Sequence, residues 1–224
     1  MQNLSNGKIL DLISYSEGII FVEIVKSPTG ENKLAYRSFN MKTGQFIPIT
    51  MGVYLINKFG PSFEAISKKL TNFVLCDAFI LSDRRCFVLS PEGEAIIFST
   101  EGNIIYHNEF LYHDNFLRSG VNADKYIWCT VPKENSLVQY DAATLKVHLR
   151  IGSAEADTFS VPYAVSYIDD KLYVTNAGNG VINEIDPNTY AVATHKQFNE
   201  PVYKYFKIAD KECVWLKSGI YYLD

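Results

Sequence analysis

Four histidines, His107, His113, His148 and His195, are the side chains in this chain most suited to metal or proton chemistry. Only two are close together, in the run His107-Asn108-Glu109-Phe110-Leu111-Tyr112-His113-Asp114. Imidazole and carboxylate at this density, from His107, Glu109, His113 and Asp114, can ligate zinc or another transition ion. On one continuous strand His107, Glu109 and His113 share parity, but a rise of ~3.3 Å per residue puts the two imidazoles about 20 Å apart. One ion therefore needs a turn between them; the alternative is a solvated strand end and loop. Nucleophilic catalysis leaves no signature. There is no Gly-x-Ser-x-Gly elbow, and no Gly-x-x-x-x-Gly-Lys loop to cradle phosphate. Cys76, Cys86, Cys129 and Cys213 lie in apolar runs without Cys-x-x-Cys spacing or an adjacent histidine, and read as structural thiols. A hairpin turn at Ser82-Asp83-Arg84 places Cys76 nearer Pro91 than Cys86, which disfavours a disulfide between those two. Aromatic side chains are the remaining resource, since exposed Tyr and Trp stack on sugars or anchor peptides. Tyr112, Phe116, Tyr163 and Tyr203 fall near junctions between repeating units and are the candidate ligand contacts.

These groups need a scaffold, and composition bounds it. A chain of 224 residues with 47% hydrophobic residues and a formal net charge of −4 fits one compact unit, read as a single domain over residues 1–224. The 15 Tyr, 14 Phe and 2 Trp outnumber the 13 Gly and 8 Pro, which suits packed pleated surfaces and excludes disorder or collagen. Charges are scattered, so no basic stripe offers nucleic acid an electrostatic footprint. The start, Met1-Gln2-Asn3-Leu4-Ser5-Asn6-Gly7-Lys8, lacks a basic segment followed by an apolar one, and no window approaches ~18 apolar residues. No membrane span is expected. The N-terminus reads as cytoplasmic, or as that of an exported protein whose leader has been removed.

The strongest pattern is an apolar run, an Asp followed by Lys or Arg, and a second apolar run. It occurs at Asp83-Arg84, Asp124-Lys125, Asp170-Lys171 and Asp210-Lys211, at intervals of 41, 46 and 40 residues. Each is a hairpin between strand candidates: Phe73 to Leu81 before Cys86 to Leu89, Phe116 to Val121 before Tyr126 to Val131, Tyr163 to Ile168 before Leu172 to Thr175, and Tyr203 to Ile208 before Cys213 to Leu216. Further strands, Leu137 to Tyr140 with Leu145 to Ile151 and Val181 to Ile185 with Tyr190 to Gln197, are joined by turns that open on Asp141 and Asp186. Asp there bonds its own backbone and so specifies the turn. Ile9 to Tyr15, a turn at Ser16-Glu17-Gly18, Ile19 to Ile24, Leu34 to Phe39 and Gln45 to Ile49 make a first unit of the same form. Four antiparallel strands in about 43 residues, repeated five times without helical periodicity, predict an all-β, five-bladed β-propeller. The recurring Asp83, Asp124, Asp170 and Asp210 are then turn residues.

Two departures stand out. Val53 to Asn72 is surplus to any unit, and Pro61-Ser62 before Phe63, Ile66 and Leu70 predicts one short amphipathic helix near residues 61–70. It is either a plug on the outside of the first two units or a lid or docking helix. The last unit reaches Asp224 without an outermost strand, so an incomplete last blade is expected, with an open edge at Ile220 to Leu223. Residues 2–6 look too few for a good strand if Ile9 to Tyr15 is innermost in unit one, although Lys8 to Ile13 is a possible closing strand. The edge is then either short and solvated or paired with a second copy, an edge-to-edge homodimer.

Leu172-Tyr173-Val174-Thr175-Asn176 contains the Y-V-T-N core of the YVTN-type propeller repeat, followed by Gly180, Val181, Ile185-Asp186, Val192 and Pro201. The preceding unit is similar, with Trp128 in the strand, Tyr140-Asp141, Thr144, Val147, Ile151-Gly152 and Val161-Pro162. Over about residues 116–208 the chain resembles the YVTN/NHL-like propeller repeat superfamily. Units one and two share only its hydrophobic rhythm. The motif residues shape strands and turns, so the resemblance transfers no catalytic residue. Lactonase relatives hold a divalent ion at the central mouth with Glu, Asn and Asp from inner-strand tips, and Asp77, Asn115, Asn122 and Asp169 stand near inner strands here. The expected function is binding of a protein, peptide or saccharide ligand without a cofactor. The alternative is a metal-dependent lactonase or related hydrolase holding a divalent ion, and a third reading is an architectural assembly subunit.

Overall fold

The computed structural model describes residues 2–5, 8–15 and 17–223. Ser16 of the first hairpin turn and the terminal Asp224 lie outside the described residues. The first strand, β1 (Gln2–Ser5), is followed by blade 1, formed by β2 (Lys8–Tyr15), β3 (Gly18–Lys26), β4 (Asn32–Asn40) and β5 (Gln45–Pro48). Two helices come next, α1 (Met51–Phe59) and α2 (Phe63–Lys69). Blade 2 comprises β6 (Asp77–Ile80), β7 (Cys86–Leu89), β8 (Glu94–Phe98) and β9 (Ile104–Glu109). A small hairpin, β10 (Leu111–Tyr112) with β11 (Asn115–Phe116), leads to blade 3: β12 (Gly120–Ala123), β13 (Tyr126–Val131), β14 (Ser136–Asp141) and β15 (Val147–Gly152). Blade 4 has β16 (Pro162–Ile168), β17 (Lys171–Asn176), β18 (Val181–Ile185) and β19 (Val192–Gln197). Blade 5 has β20 (Val202–Ile208), β21 (Lys211–Leu216) and β22 (Gly219–Leu223), and takes its fourth strand from β1. The result is a five-bladed β-propeller, with each sheet antiparallel and ordered from the axis outward.

The local chemistry of the repeat is visible at the turns. Asp141 Oδ1 accepts from the Ala143 and Thr144 N–H groups at 3.1 and 2.8 Å, and Asp186 Oδ1 does the same for Asn188 and Thr189 at 2.8 and 3.3 Å. Asp169 and Asp170 take φ of 48° and 59°, the left-handed pair that a two-residue hairpin needs and that Asp tolerates.

A single sheet cannot bury both its faces, so the core lies between blades. Phe87 and Ile97 of blade 2 meet Ile127, Cys129 and Val138 of blade 3. Trp128 and Leu137 on the other face of blade 3 meet Val165, Val174 and Ile185 of blade 4. Tyr173 and Ile182 meet Tyr205 and Val214, and Phe206, Cys213 and Ile220 meet Leu12, Ile19 and Phe21 of blade 1. The fifth junction is different. The second face of blade 2, with Val88 and Phe98, packs on Phe59 of α1 and Ile66 of α2. Helix α1 lies beside β6 and reaches Asp11 of β2 through Tyr54 and Lys58, so the helices stand between blades 1 and 2.

Several expectations are corrected. The described residues form two α-helices where one was predicted: α2 matches the 61–70 stretch, and α1 precedes it, capped by the Thr50 side chain on the Val53 N–H. Residues 2–5 are enough for a strand, because β22 supplies the template: Gln2 pairs with Tyr222 and Asn3 with Tyr221. The last blade is therefore complete, and the Ile220 to Leu223 edge that suggested a homodimer is covered from within the chain. Ile9 to Tyr15 is the innermost strand of blade 1, as the repeat predicted. The Phe73 to Leu81 candidate shortens to β6, and Phe116 belongs to the β10–β11 hairpin, with the inner strand of blade 3 starting at Gly120. All four cysteines are free thiols. No described helix is long and apolar enough to cross a membrane.

Candidate functional site

The innermost strands begin at one end of the central channel, and three of them begin with a bulge. Pairing shifts by one residue between Ile9 and Asp11, between Pro162 and Ala164, and between Val202 and Lys204, leaving Leu10, Tyr163 and Tyr203 outside the ladder. A bulge re-aims the side chain it frees; all three line the mouth. Arg118 holds the corresponding place in blade 3. It precedes Ser119, whose N–H bonds Thr130 Oγ1 at 3.2 Å just as the Ala164 N–H bonds Thr175 Oγ1 at 3.2 Å. Cys76 completes the set from blade 2. Each blade thus contributes to the lining of a cavity of about 210 Å³, which α1 enters with Tyr54 and Lys58.

Blades 4 and 5 and the guanidinium of blade 3 form a continuous surface. The Tyr163 and Tyr203 rings lie 4.8 Å apart and Tyr203 meets the Trp215 ring edge-on at 5.5 Å. Arg118 sits over the Tyr163 ring, 4.3 Å from its centre, while its Nη1 donates to the Cys76 carbonyl at 2.8 Å and its Nη2 to the Tyr163 hydroxyl at 2.6 Å. Opposite stand two carboxylates. Asp11 Oδ1 accepts from the Leu12 N–H at 2.9 Å and Oδ2 from the Tyr54 hydroxyl at 2.5 Å and from Lys58, whose side chain is only 7% exposed. Asp77 Oδ1 accepts from the Ala78 N–H at 2.8 Å, and Oδ2 from the Ser119 hydroxyl at 2.7 Å and the Gly120 N–H at 3.0 Å. Lys204 donates to the Leu12 carbonyl at 2.9 Å.

Burial pushes the Asp11 carboxyl up, but the charges of Lys58 and Lys204 and the hydrogen bonds from Lys58 and Tyr54 outweigh it and hold it below its ordinary value. Burial, with the Asp11 charge, pushes the Tyr54 hydroxyl far up, so it stays a donor. Burial takes the Cys76 thiol up to about 12, which makes it an inert lining group. A second cavity of about 450 Å³ opens at the other end of the channel, where Ser14, Asp169 and Lys207 stand. Asp77, Ser119 and Lys204 line both cavities and so form the waist between them.

The sequence candidates divide. Tyr163, Tyr203 and Asp77 come together at the mouth. Tyr112 is buried between blades 2 and 3, and Phe116 is half-buried in its hairpin. Asn115 donates to Glu134 at 3.1 Å, away from the mouth. Asn122 binds the carbonyls of Asp124 and Tyr126 in the first hairpin turn of blade 3, and Asp169 pairs with Lys207 at the opposite end. His107 lies on β9, 3.8 Å from Glu94, and Glu109 ends the same strand. His113 and Asp114 make the β10–β11 turn, with His113 3.2 Å from Glu134. Among the described residues, no three His, Cys, Asp or Glu side chains gather as a metal ion requires. Sequence reasoning missed Lys58, Arg118, Lys204, Asp11 and Trp215. The apolar rhythm that marks inner strands is the only signal that points to Asp11 and Lys204, which interrupt it.

No protein-family model matches the chain, and no curated protein matches it. Solved structures do, at the level of fold. The WD40 β-propeller domain of Doa1 superposes with a TM-score of 0.56 at 9% identity, covering 93% of this chain and 60% of that one. Virginiamycin B lyase from Staphylococcus aureus gives 0.51 at 13%, covering 97% and 73%, and the computationally designed Ika4 protein 0.52 at 11%, covering 68% and 92%. At such identities the likeness is one of β-propeller architecture alone.

Proposed function

We propose that this protein is a binding propeller that takes a small ligand at the channel mouth where the innermost strands begin. The observation that carries this is convergence: side chains from all five blades and from α1 meet in one cavity, three of them placed there by bulges that break the sheet ladder. The Tyr163–Tyr203–Trp215 surface suits a planar or apolar body, and the ring of charged groups suits its polar end. The Y-V-T-N residues support membership of the YVTN/NHL-like repeats in a structural role: Thr175 and Asn176 are fully buried, and Asn176 ties β17 to the Ser160 N–H and to Asn183. The chemistry of the mouth favours binding over metal-dependent hydrolysis, because both carboxylates already accept from protein donors on each oxygen. The names WD40 and lyase among the fold neighbours attach to those proteins, and the shared architecture accommodates either kind of role.

A ligand-observed NMR screen across neutral sugars, short peptides and small aromatic acids, amides and amines tests the reading. Hits should disappear, or weaken about tenfold or more, in Tyr203→Ala and Trp215→Ala. Hits untouched by either substitution would place the binding surface elsewhere.

A further inference from the structure

The donors and acceptors at the mouth are unevenly spent, and the imbalance specifies a ligand. On the acceptor side, all four carboxylate oxygens of Asp11 and Asp77 already receive at least one hydrogen bond from the protein, and the Leu12 and Cys76 carbonyls receive Lys204 and Arg118. On the donor side, each lysine ammonium has three N–H groups and a guanidinium has five. Lys58 and Lys204 each spend one, and Arg118 spends two. Three cations stand against two carboxylates in a cavity of about 210 Å³. A group with acceptor oxygens and negative charge finds partners there; an ammonium finds only carboxylates already engaged.

We infer that the ligand of the channel mouth is a small planar anion, an aromatic or unsaturated carboxylate, its ring on the Tyr163–Tyr203–Trp215 surface and its charged oxygens on Arg118 and Lys204. This deepens the binding reading of the same site and rests on it. Arg118 is half-buried and braced by the Cys76 carbonyl and the Tyr163 ring, so its fork is presented with little freedom left to lose. Lys204 comes from the residue after the Tyr203 bulge, so the aromatic surface and the cation are fixed by one local distortion.

The protein reports on its own site, since it has two tryptophans, Trp128 wholly buried between blades 3 and 4 and Trp215 at the mouth. The full chain, labelled with nitrogen-15, is titrated with three probes of one shape: indole-3-acetate, indole-3-acetamide and tryptamine. The carboxylate is expected to shift the Trp215 indole N–H and to bind at least about tenfold more tightly than the amide or the amine. Its affinity should fall as NaCl rises from about 50 mM to about 500 mM. Arg118→Gln and Lys204→Gln should each weaken it about ten- to hundredfold, the range for losing one charge-assisted hydrogen bond. The salt series on the unmodified protein keeps the test valid if either variant misfolds. If the amide or the amine shifts Trp215 with equal affinity, the anion assignment is overturned while the mouth remains the site. If none of the three moves Trp215 but hits from the broader screen, titrated into the same labelled chain, do, the assignment is overturned in the same way. An empty screen together with a silent Trp215 overturns the assignment and the binding reading together.

Discussion

Thr175 shows how a repeat motif residue serves a site it does not touch. Its buried hydroxyl lies 3.2 Å from the Ala164 N–H and 3.3 Å from the Tyr203 carbonyl, beside both tyrosine bulges of the mouth. Thr175→Val keeps the shape and removes the hydroxyl, leaving a buried N–H short of a partner. Urea unfolding should show a loss of about 1–3 kcal/mol, with Thr175→Ser losing less; a larger loss in Thr175→Ser than in Thr175→Val would mean that packing alone matters there. Asp11 gives a pH signature. Its carboxyl titrates lower in the folded chain than its ordinary 3.8, so as acid is added the unfolded chain takes the proton first. The stability it supplies is present above that ordinary value and is lost as pH falls through the folded one. Urea midpoints followed downward through about pH 4 should therefore drop more steeply for the native protein than for Asp11→Asn, and parallel curves would remove Asp11 from the account. Residues of this kind differ in legibility. Asp141 and Asp186 were readable because their partners lie two and three positions on. Lys58, Arg118 and Lys204 were not, because 60 and 86 residues separate them and only the ring brings them together.

Among the elements, the hairpins were readable wherever apolar alternation and an Asp turn coincide, and the inner hairpins of four of the five blades were placed within a few residues on that signal. Two elements escaped it for opposite reasons. Helix α1 begins Met51-Gly52-Val53-Tyr54-Leu55-Ile56, whose apolar and β-branched content resembles a strand; its face is decided by blade 2 and by Asp11. Strand β1 is four residues with no pattern of its own, and its conformation is imposed by the exposed ladder of β22. One-residue bulges are silent in composition, so the mouth was legible only through Tyr163, Tyr203 and Asp77, even where the strands around it were clear. The covering role of β1 is open to test. Deleting residues 1–5 strips the outer edge of blade 5 and leaves the N–H and C=O groups of β22 unpaired. Loss of a few ladder bonds at about 1 kcal/mol each should cost about 2–4 kcal/mol in urea. Light scattering should then reveal concentration-dependent association beyond that of the intact chain. A shortened protein of unchanged stability and mass would mean that β1 contributes no closure.

At the scale of the whole molecule, closure of the ring joins the two ends of the chain. Gln2 pairs with Tyr222 across blade 5, and β2 packs beside β20, so the contacts that complete the propeller span nearly its full length. Contacts so distant in sequence are slow to find, because the loop entropy is paid before they form. What holds blade 5 to blade 1, however, is burial of Phe206, Cys213 and Ile220 against Leu12, Ile19 and Phe21, the same kind of interface that joins blades 3 and 4. If the ring depends on interfaces and not on where the chain is cut, the break can be moved. Joining residue 224 to residue 1 through about four Gly or Ser residues turns β22 and β1 into an ordinary hairpin. Opening the chain between the exposed Ala154 and Glu155 then puts the new ends in the connection from β15 to β16. Closure passes to the interface of Trp128 and Leu137 with Val165 and Val174. The permuted protein should fold as a monomer, keep the buried-tryptophan emission of Trp128, and show a urea midpoint close to that of the original chain. A permuted protein that remains unfolded while the linked, unopened ring folds would show that the contact of β1 with β22 must form between free ends, a clasp and not an interface like those of blades 2–3, 3–4 and 4–5.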